Sequence, residues 1–371
     1  MRVVQLIDNL YWGGAQKMLS MLVHELINHQ VEVIVVGLDD GAGAHYVQEI
    51  CDDGIEVVSM PGTSLLDFMR IKRLVHFLRH RNIDLIQTHL SYANILGVLA
   101  GRLAGLPVIV TLHSTGVDRR YYHPLRHRLE TMAFRSMGCH VVAVGYAIAD
   151  AQQDRVGRTK PIVVIPNAIS TLPELVPSER QKLRLSLTGK DESAILISVG
   201  RLSPDKGYSD MLIAFEKILH SYPEASLVIA GKGVLADSLQ AQALSLGIEG
   251  RVFLLGARDD IPALLRASDI YVSASHREGM SMSLLESMAA GLPTVATNVG
   301  DASRMFTDTT GILVEPGHPE YLAEAVNELL ADPARMQCMG RAACERVISQ
   351  YGVDAWTSAY MNLYSRTVDI Q

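Results

Sequence analysis

The feature that most constrains the fold of this chain is a regular alternation of short apolar runs with segments of helical periodicity. Seven such runs occur in the first half: Val3–Ile7, Val31–Val36, Ile55–Ser59, Leu85–Thr88, Val108–Leu112, Val141–Val144 and Ile162–Ile165. Helices are predicted between several of them, at Leu65–Arg79, Tyr92–Leu103, Pro124–Arg135 and Tyr146–Asp154. Runs that are largely apolar throughout suit strands buried on both faces. The pattern therefore predicts an α/β fold with a doubly wound parallel sheet.

The same alternation resumes after an interruption, which indicates a second domain. Residues 171–192 are rich in Pro, Ser, Leu and charged residues and lack a strand pattern, so they are predicted to form a linker with a short helix. Strand patterns then return at Ala194–Val199, Ser226–Ala230, Val252–Leu255, Ile270–Ser273 and Thr294–Thr297. A length of 371 residues suits two domains. We predict a first domain over residues 1–170, a second over 193–350, and a C-terminal helix over 351–371.

The composition indicates a globular protein of a reducing compartment. Hydrophobic residues make up 48% and charged residues 20% of the chain, which excludes disordered and fibrous classes. No apolar run approaches the ~20 residues of a membrane span, and Met1–Asp8 resembles a first strand rather than a signal peptide. The four cysteines form no C-x-x-C pair and are too few for a disulfide framework. We expect a cytoplasmic protein.

No sequence pattern predicts a metal site. His76 and His80, and likewise His123 and His127, are spaced four apart, but no cysteine or H-E-x-x-H context accompanies them. Exposed basic helix faces explain both pairs. The chain also lacks D-x-D, a pattern whose paired carboxylates often bind a metal ion.

The net charge of −7 is unevenly distributed along the chain. Residues 69–128, here called the basic segment, hold ten basic residues opposed only by Asp84 and Asp118. The ten are Arg70, Lys72, Arg73, Arg79, Arg81, Arg102, Arg119, Arg120, Arg126 and Arg128. One interpretation is peripheral contact with the inner face of the cell membrane, with a polyphosphate lipid or with an anionic glycan, because basic surfaces are attracted to anionic lipid. A solvated helix face is the other.

A loop, a helix and a strand follow one another in Ser275–Gly300. Gly279 allows a sharp turn, Ser281 or Ser283 can cap the helix, and Gly291 and Pro293 end it. The unpaired N–H groups of a helix N-terminus suit an anion such as a diphosphate.

Two acids in this stretch are candidates for contacts with the same ligand. Glu286 lies about 5 residues inside the helix, roughly 7–8 Å along its axis, where its carboxylate could accept hydrogen bonds from a ribose diol. Glu278 lies in the loop, nearer the other end. The E-x7-E spacing alone is weak evidence, because Glu216/Glu224 and Glu320/Glu328 repeat it. The glycine loop, the serine-rich helix start and the G-L-P-T-V-A-T strand distinguish the pair Glu278/Glu286.

With this context the stretch resembles the nucleotide-sugar site of retaining glycosyltransferases of the GT-B fold, glycosyltransferase family 4. The resemblance spans nearly the whole chain, and its strongest motifs follow residue 200. Arg201 and Lys206, in G-R-L-x-x-x-K-G, resemble the family's diphosphate clamp. The Gly256–Arg258 loop occupies the place where family members contact the base, and Arg258 could stack on it.

Two motifs of the first domain extend the resemblance. The Gly13-Gly14-Ala15 turn follows the first strand and matches a family loop beside the transferred sugar and diphosphate. His113 follows the strand Val108–Leu112 at its carboxyl end, where doubly wound folds bind ligands, and a family histidine lies there near the reacting sugar.

The resemblance implies two facing Rossmann-like domains with an inter-domain cleft that holds a UDP- or GDP-sugar. It implies that Arg201, Lys206 and the amides of Met280, Ser281, Met282 and Ser283 take the diphosphate. Glu286 would hold the ribose, Glu278 the sugar hydroxyls, and His113 and Gly14 would approach from the other domain. It implies retaining transfer of a hexose-type sugar to a glycan or lipid-linked acceptor, in cell-surface polysaccharide or glycolipid synthesis. No metal, further cofactor or nucleic acid is expected. His113 and Glu278 are expected to position the sugar rather than to attack its anomeric carbon.

Two other functions suit the same architecture. A sugar-nucleotide epimerase would convert the donor without an acceptor, and a non-catalytic module would only bind it. A dinucleotide dehydrogenase is disfavoured, because the first loop lacks G-x-G-x-x-G and the acid expected after it.

Overall fold

The computed structural model describes residues 1–41, 44–65, 67–116, 123–136, 138–190 and 193–369. These form two compact units. Unit 1 comprises Met1–Asn167 together with Asp354–Gln371, and unit 2 comprises Ala168–Val353.

Unit 1 contains a seven-stranded parallel sheet of order β3-β2-β1-β4-β5-β6-β7. The strands are β1 Arg2–Ile7, β2 Glu32–Gly37, β3 Glu56–Ser59, β4 Leu85–His89, β5 Val108–Leu112, β6 Cys139–Ala143 and β7 Ile162–Val164. β4 and β5 are buried at every position. Burial of both sheet faces removes the polar alternation of a half-exposed strand, which explains the continuous apolar runs.

The helices of unit 1 are α1 Gly14–Asn28, α2 His45–Asp52, α3 Phe68–His80, α4 Ser91–Ala104, α5 Pro124–Phe134 and α6 Tyr146–Val156. The sequence analysis did not predict α2. It buries only Tyr46 and Ile50, which is too short an apolar stripe to distinguish it from a loop. A last helix, α15 Val353–Asp369, lies almost wholly in this unit and buries Trp356, Tyr360 and Tyr364.

Unit 2 contains a six-stranded parallel sheet of order β10-β9-β8-β11-β12-β13. Its strands are β8 Ile195–Val199, β9 Ser226–Ala230, β10 Val252–Gly256, β11 Ile270–Ser273, β12 Thr294–Thr297 and β13 Ile312–Val314. Its helices are α7 Pro177–Thr188, α8 Tyr208–Ser221, α9 Ala236–Ser245, α10 Ile261–Ala267, α11 Met282–Ala289, α12 Ala302–Met305, α13 Pro319–Leu330 and α14 Pro333–Tyr351. The predicted α/β class, with two doubly wound Rossmann-like parallel sheets, is confirmed.

Helix α7 occupies most of the segment that was predicted to be a linker. The guanidinium of Arg184 is buried and donates to both carboxylate oxygens of Asp269, at 3.1 and 2.9 Å, and to the carbonyl oxygen of Ala267 at 2.7 Å. A buried cation anchored in this way fixes the helix to the start of β11, so the segment is part of unit 2.

Not all cations of the basic segment are surface charges. Arg70 is buried and donates to the carbonyl oxygen of Leu65 at 3.3 Å. Arg73 and Arg79 are exposed, and they donate to the carbonyl oxygens of Pro61 and Leu103. Arg119 and Arg120 lie outside the described residues. In the described ranges, none of the helices combines the length and the apolar character that crossing a membrane requires.

Candidate active site

The strand order of unit 2 reverses between β8 and β11, and the loops after these two strands meet at that point. The first loop, Gly200–Gly207, contains a short 3₁₀ turn at Pro204–Lys206. The second loop runs from residue 274 to 281, and its His276 amide donates to the carbonyl oxygen of Asp205 at 2.8 Å. Open α/β sheets bind ligands outside the carboxyl ends of strands at such a reversal.

Glycines allow these loops to pack backbone against backbone. A Cβ on Gly207 would overlap the carbonyl oxygen of Ala274, and the φ of Gly207 is +61°, a left-handed value that suits glycine. A Cβ on Gly233, in the loop after β9, would overlap the backbone of Leu202. Gly207 and Gly233 are therefore required by contacts within the loop scaffold.

Lys206 of the first loop and Glu278 of the second form a largely enclosed ion pair. The Lys206 Nζ donates to Glu278 Oε1 at 2.6 Å, and Ser275 Oγ donates to the same oxygen at 2.8 Å. The two charged side chains are only 19% and 13% exposed. A lysine ammonium has three donors, so Lys206 keeps two for a ligand.

Arg201 lies on the same loop but in a different environment. Its side chain is 73% exposed, its Nη2 lies 3.8 Å from Asp205 Oδ2, and its Nε donates to Ser203 Oγ at 3.3 Å. The loop thus carries one enclosed cation and one exposed cation.

The helix of the Ser275–Gly300 stretch begins where the sequence analysis placed it. α11 starts at Met282 with Ser281 in the N-cap position. The hydroxyls of Ser281 and Ser283 lie 3.1 Å apart, and the Ser281 side chain makes no cap hydrogen bond to the helix. The predicted position is right, but the cap bond itself is missing. Met280 is buried at the preceding loop, and Glu286, the fifth helical residue, is also buried.

Arg258 is held by a neighbouring acid. Its Nε and Nη2 donate to the two carboxylate oxygens of Asp260 at 2.8 and 2.6 Å, and this pairing raises the pKa of the guanidinium. Beside the same loop lies a cavity of about 400 Å³. Its lining includes Leu202, Lys232, Gly233, Asp237, Gln240 and Gly256.

In unit 1 the strand order reverses between β1 and β4. Gly14, the first residue of α1, is exposed after β1. His113 is half-buried directly after β5, and its Nε2 lies 2.9 Å from Nδ1 of the buried His89 at the end of β4. Burial lowers the pKa of His113 to about 4, and burial together with the neighbouring His113 lowers the pKa of His89 well below its usual value. Both imidazoles are therefore neutral at pH 7.

The sequence analysis missed His89 and the buried glutamines beside it, Gln5 and Gln87. A signal was present, because each is a polar residue inside an otherwise apolar strand run. β1, β4 and β5 are neighbours in the sheet, so His89 and His113 had to meet at one edge once the strand order was known. That order cannot be read from the apolar runs themselves.

Potential metal ligands do not assemble in the described ranges: no three His, Cys, Asp or Glu side chains come together there as a metal-binding group. The cysteines Cys51, Cys139, Cys338 and Cys344 are all unpaired by disulfides.

Two family models match the chain one after the other. The model described as Glycosyltransferase Family 4 matches residues 12–171, and the model described as Glycosyl transferases group 1 matches residues 179–346. The second match contains Arg201, Lys206, Glu278 and Glu286, and the first contains Gly14 and His113.

Individual proteins with curated functions resemble the chain along most of its length. The UDP-Gal:alpha-D-GlcNAc-diphosphoundecaprenol alpha-1,3-galactosyltransferase of Escherichia coli is 26% identical over 370 residues, covering 95% of this chain and 93% of its own. The N-acetyl-alpha-D-glucosaminyl L-malate synthase of Bacillus anthracis is 28% identical over 304 residues, covering 80% and 78%.

Solved structures share the fold. HepE of Anabaena, in complex with UDP-glucose, superimposes with a TM-score of 0.89 at 23% identity, covering 99% of this chain and 100% of that one. Two consecutive family models and full-length relatives lead to one conclusion: the protein is a glycosyltransferase and belongs to the group 1 glycosyltransferases of the GT-B fold.

Proposed function

We propose that the protein transfers a hexose-type sugar, with retention of its anomeric configuration, from a UDP-sugar to a glycan or lipid-linked acceptor in cell-surface polysaccharide or glycolipid synthesis. The observation that carries the proposal is the enclosed Lys206–Glu278 pair at the strand reversal of unit 2. A lysine enclosed beside the start of α11 is suited to receive a diphosphate.

The difficult step of such a transfer is the departure of the diphosphate, on which negative charge grows. Lys206 and Arg201 supply positive charge, and the first amides of α11, at Met282 and Ser283, supply a partial positive charge from the helix dipole. Groups fixed before the reaction stabilise the transition state without reorganisation. In this mechanism the fixed charges of unit 2 do the work for which other glycosyltransferases use a metal ion.

Glu278 is proposed to position the sugar rather than to attack its anomeric carbon. Its Oε1 accepts from both Lys206 and Ser275, which lowers the nucleophilicity of that oxygen. A retaining reaction then proceeds on one face of the sugar, where the leaving phosphate takes the proton of the acceptor hydroxyl. His113 is proposed to contact the sugar, and Glu286 to accept from the ribose hydroxyls.

The relatives favour a uridine nucleotide over guanosine. The Escherichia coli enzyme is named for UDP-Gal, and HepE was crystallised with UDP-glucose. The cavity lined by Gly256 and Lys232 has the size of a small-ligand site. The acceptor proposal follows the diphosphoundecaprenol acceptor in the name of the Escherichia coli enzyme.

The test is a transfer assay with UDP-sugars and lipid-linked sugar acceptors, followed by NMR of the product. An α-configured product from an α-configured donor is expected, and an inverted product would refute retention. Incubation with donor alone separates an epimerase, which would release a changed sugar nucleotide. Activity that disappears with a chelator and returns with Mn²⁺ would refute the metal-independent mechanism.

Helix α3 supports the proposal of peripheral membrane contact. Phe68 and Met69 in its first turn are 73% and 61% exposed, and Lys72 and Arg73 are exposed one turn later. Apolar side chains beside cations are typical of helices that lie on anionic lipid. The double variant Phe68→Ser/Met69→Ser should sediment less with anionic liposomes, whereas Leu244→Ser, which changes an exposed leucine of unit 2, should not. Binding that is insensitive to salt and to the double variant would contradict this surface.

A further inference from the structure

A continuous chain of polar side chains crosses the buried face of the unit 1 sheet. In the strand register Gln5 of β1 pairs with Gln87 of β4, and His89 of β4 pairs with Thr111 of β5. Because side chains alternate along a strand, these four residues share one face. All four are buried. Helix α15 contributes the buried hydroxyl of Tyr364 to the same group.

The direction of the hydrogen bonds can be followed from Tyr364 to His89. The Tyr364 hydroxyl donates to Gln87 Oε1 and accepts from Gln5 Nε2, the latter at 3.0 Å. Gln87 Nε2 donates to Thr111 Oγ1 at 2.8 Å. The Gln5 amide nitrogen donates both to Tyr364 and to Gln87 Oε1, the latter at 3.3 Å, so Gln5 turns its carbonyl oxygen towards His89, whose Nε2 lies 2.8 Å away.

This orientation determines the position of the proton on each histidine. The amide oxygen of Gln5 can only accept, so the proton of this contact belongs to His89 Nε2. A neutral imidazole carries one N–H, so His89 Nδ1 has a lone pair. The 2.9 Å contact between His89 Nδ1 and His113 Nε2 then requires the proton of His113 to be on Nε2. The remaining nitrogen of His113, Nδ1, bears no proton.

We propose that Tyr364, Gln5 and His89 are positioning residues that hold His113 as its Nε2-protonated tautomer, with Nδ1 as a hydrogen-bond acceptor for a substrate hydroxyl. The substrate part of this inference rests on the proposed sugar transfer, whereas the tautomer part does not. The neutral Nδ1 of His113, as a hydrogen-bond acceptor, would orient a hydroxyl of the transferred sugar. The opposite tautomer would present a donor, so the same hydroxyl would accept from His113 instead of donating to it.

The test is long-range ¹H–¹⁵N correlation NMR of the histidine-labelled full-length protein at pH 7. The variants His113→Asn and His89→Gln assign the two signals. Both rings are expected as the Nε2–H tautomer. Reversal of both amides would place the protons on the two Nδ1 atoms instead, so an Nδ1–H signal for His113 would overturn the proposal.

Tyr364→Phe removes one hydroxyl and keeps the packed ring. Without it the Gln5 amide nitrogen keeps only its 3.3 Å contact with Gln87 Oε1 and is held less firmly, so His89 and His113 are expected to become mixtures of tautomers. The kcat of transfer should fall about tenfold while the donor KM changes less than about twofold, since one neutral hydrogen bond is lost. Tyr351→Phe, whose hydroxyl donates to the carbonyl oxygen of Arg304 in unit 2, is the control and should change neither readout.

Gln5→Leu removes the acceptor of the His89 Nε2 proton and should also give mixtures of tautomers. If Tyr364→Phe and Gln5→Leu both leave the two histidine signals unchanged, the proposal is wrong. If the expected tautomer is found in a protein without transferase activity, the positioning network stands and the proposed function fails.

Discussion

At the scale of single residues, the Lys206–Glu278 pair is better explained by ligand binding than by stability. An enclosed ion pair gains little net free energy of folding, because the cost of removing two charges from water offsets their attraction. Glu278 also accepts from Ser275, so the pair is oriented by a third group. Under the proposed function, this arrangement would hold the Lys206 cation in place for the diphosphate.

Lys206→Ala should lower kcat/KM by about 10²–10³-fold, the effect of removing one fixed donor that stabilises growing negative charge. Steady-state kinetics with varied donor concentration measures the change. Lys190→Ala removes a lysine that pairs with Glu224 at the surface and should leave kcat/KM unaltered. Equal kcat/KM values for the two variants would show that Lys206 does not act in the site.

The buried histidines make stability depend on pH. Folded His113 has a pKa of about 4, whereas the unfolded residue titrates near 6.5, so the unfolded chain binds more protons between these values. The free energy of unfolding contributed by His113 therefore falls as the pH drops from about 6.5 to 4. Asp8, whose pKa burial raises to about 7, changes stability in the opposite direction over this range.

Comparison of the protein with His113→Asn cancels the effect of Asp8, which is common to both, and measures His113 together with its effect on the pKa of His89. Urea unfolding at pH 7, 6, 5 and 4 should show the stability of the unmodified protein falling relative to that of the variant. A constant difference across this range would show that His113 is not held neutral.

At the scale of elements, the loops of unit 2 depend on close backbone contacts. Gly233→Ala would place a Cβ against the backbone of Leu202 and force the loops after β8 and β9 apart. UDP affinity, measured by calorimetry, should fall at least tenfold, and the melting temperature should fall as well.

Gly250→Ala is the matched control for this change. Neither glycine has a positive φ, and a Cβ on Gly250 meets nothing within 4 Å. Alanine there should be neutral or slightly stabilising, by up to about 1 kcal/mol. If both alanine variants bind UDP equally well, the loop contact is not what maintains the site.

Prediction of elements succeeded where burial imposed a pattern. β5, β9, β11 and β12 have the predicted bounds, because central strands buried on both faces give uninterrupted apolar runs. Prediction failed for α2, which buries two side chains, and for the cap bond of Ser281, whose hydroxyl contacts Ser283. In both cases the outcome depends on which of several possible contacts a few side chains make, and the sequence pattern does not determine that choice.

At the scale of the whole molecule, each unit has its own sheet and its own core. If unit 2 binds the nucleotide, UDP should slow hydrogen exchange in the loops 200–207 and 274–281 and in α11. UDP should not change the hydrogen-exchange rates of the amides of α3. A ligand at ~100 times its dissociation constant adds about 2.7 kcal/mol of stability, which is enough to measure.

GDP at the same concentration is the comparison, and weaker protection is expected. Protection confined to unit 1 would contradict the assignment of the donor site to unit 2. Equal protection by both nucleotides would contradict the preference for uridine.

The sequence by itself determined the α/β class, the doubly wound sheets and the loops that carry Arg201, Lys206, Glu278 and Glu286. These follow from local periodicity and from glycines and charges at fixed spacing, which are properties of neighbouring residues. Only the tertiary structure decided that Lys206 is enclosed with Glu278 while Arg201 is exposed, and that Tyr364 reaches Gln5. Such contacts join residues 72 and 359 positions apart. They depend on strand order and helix packing, which no local pattern records.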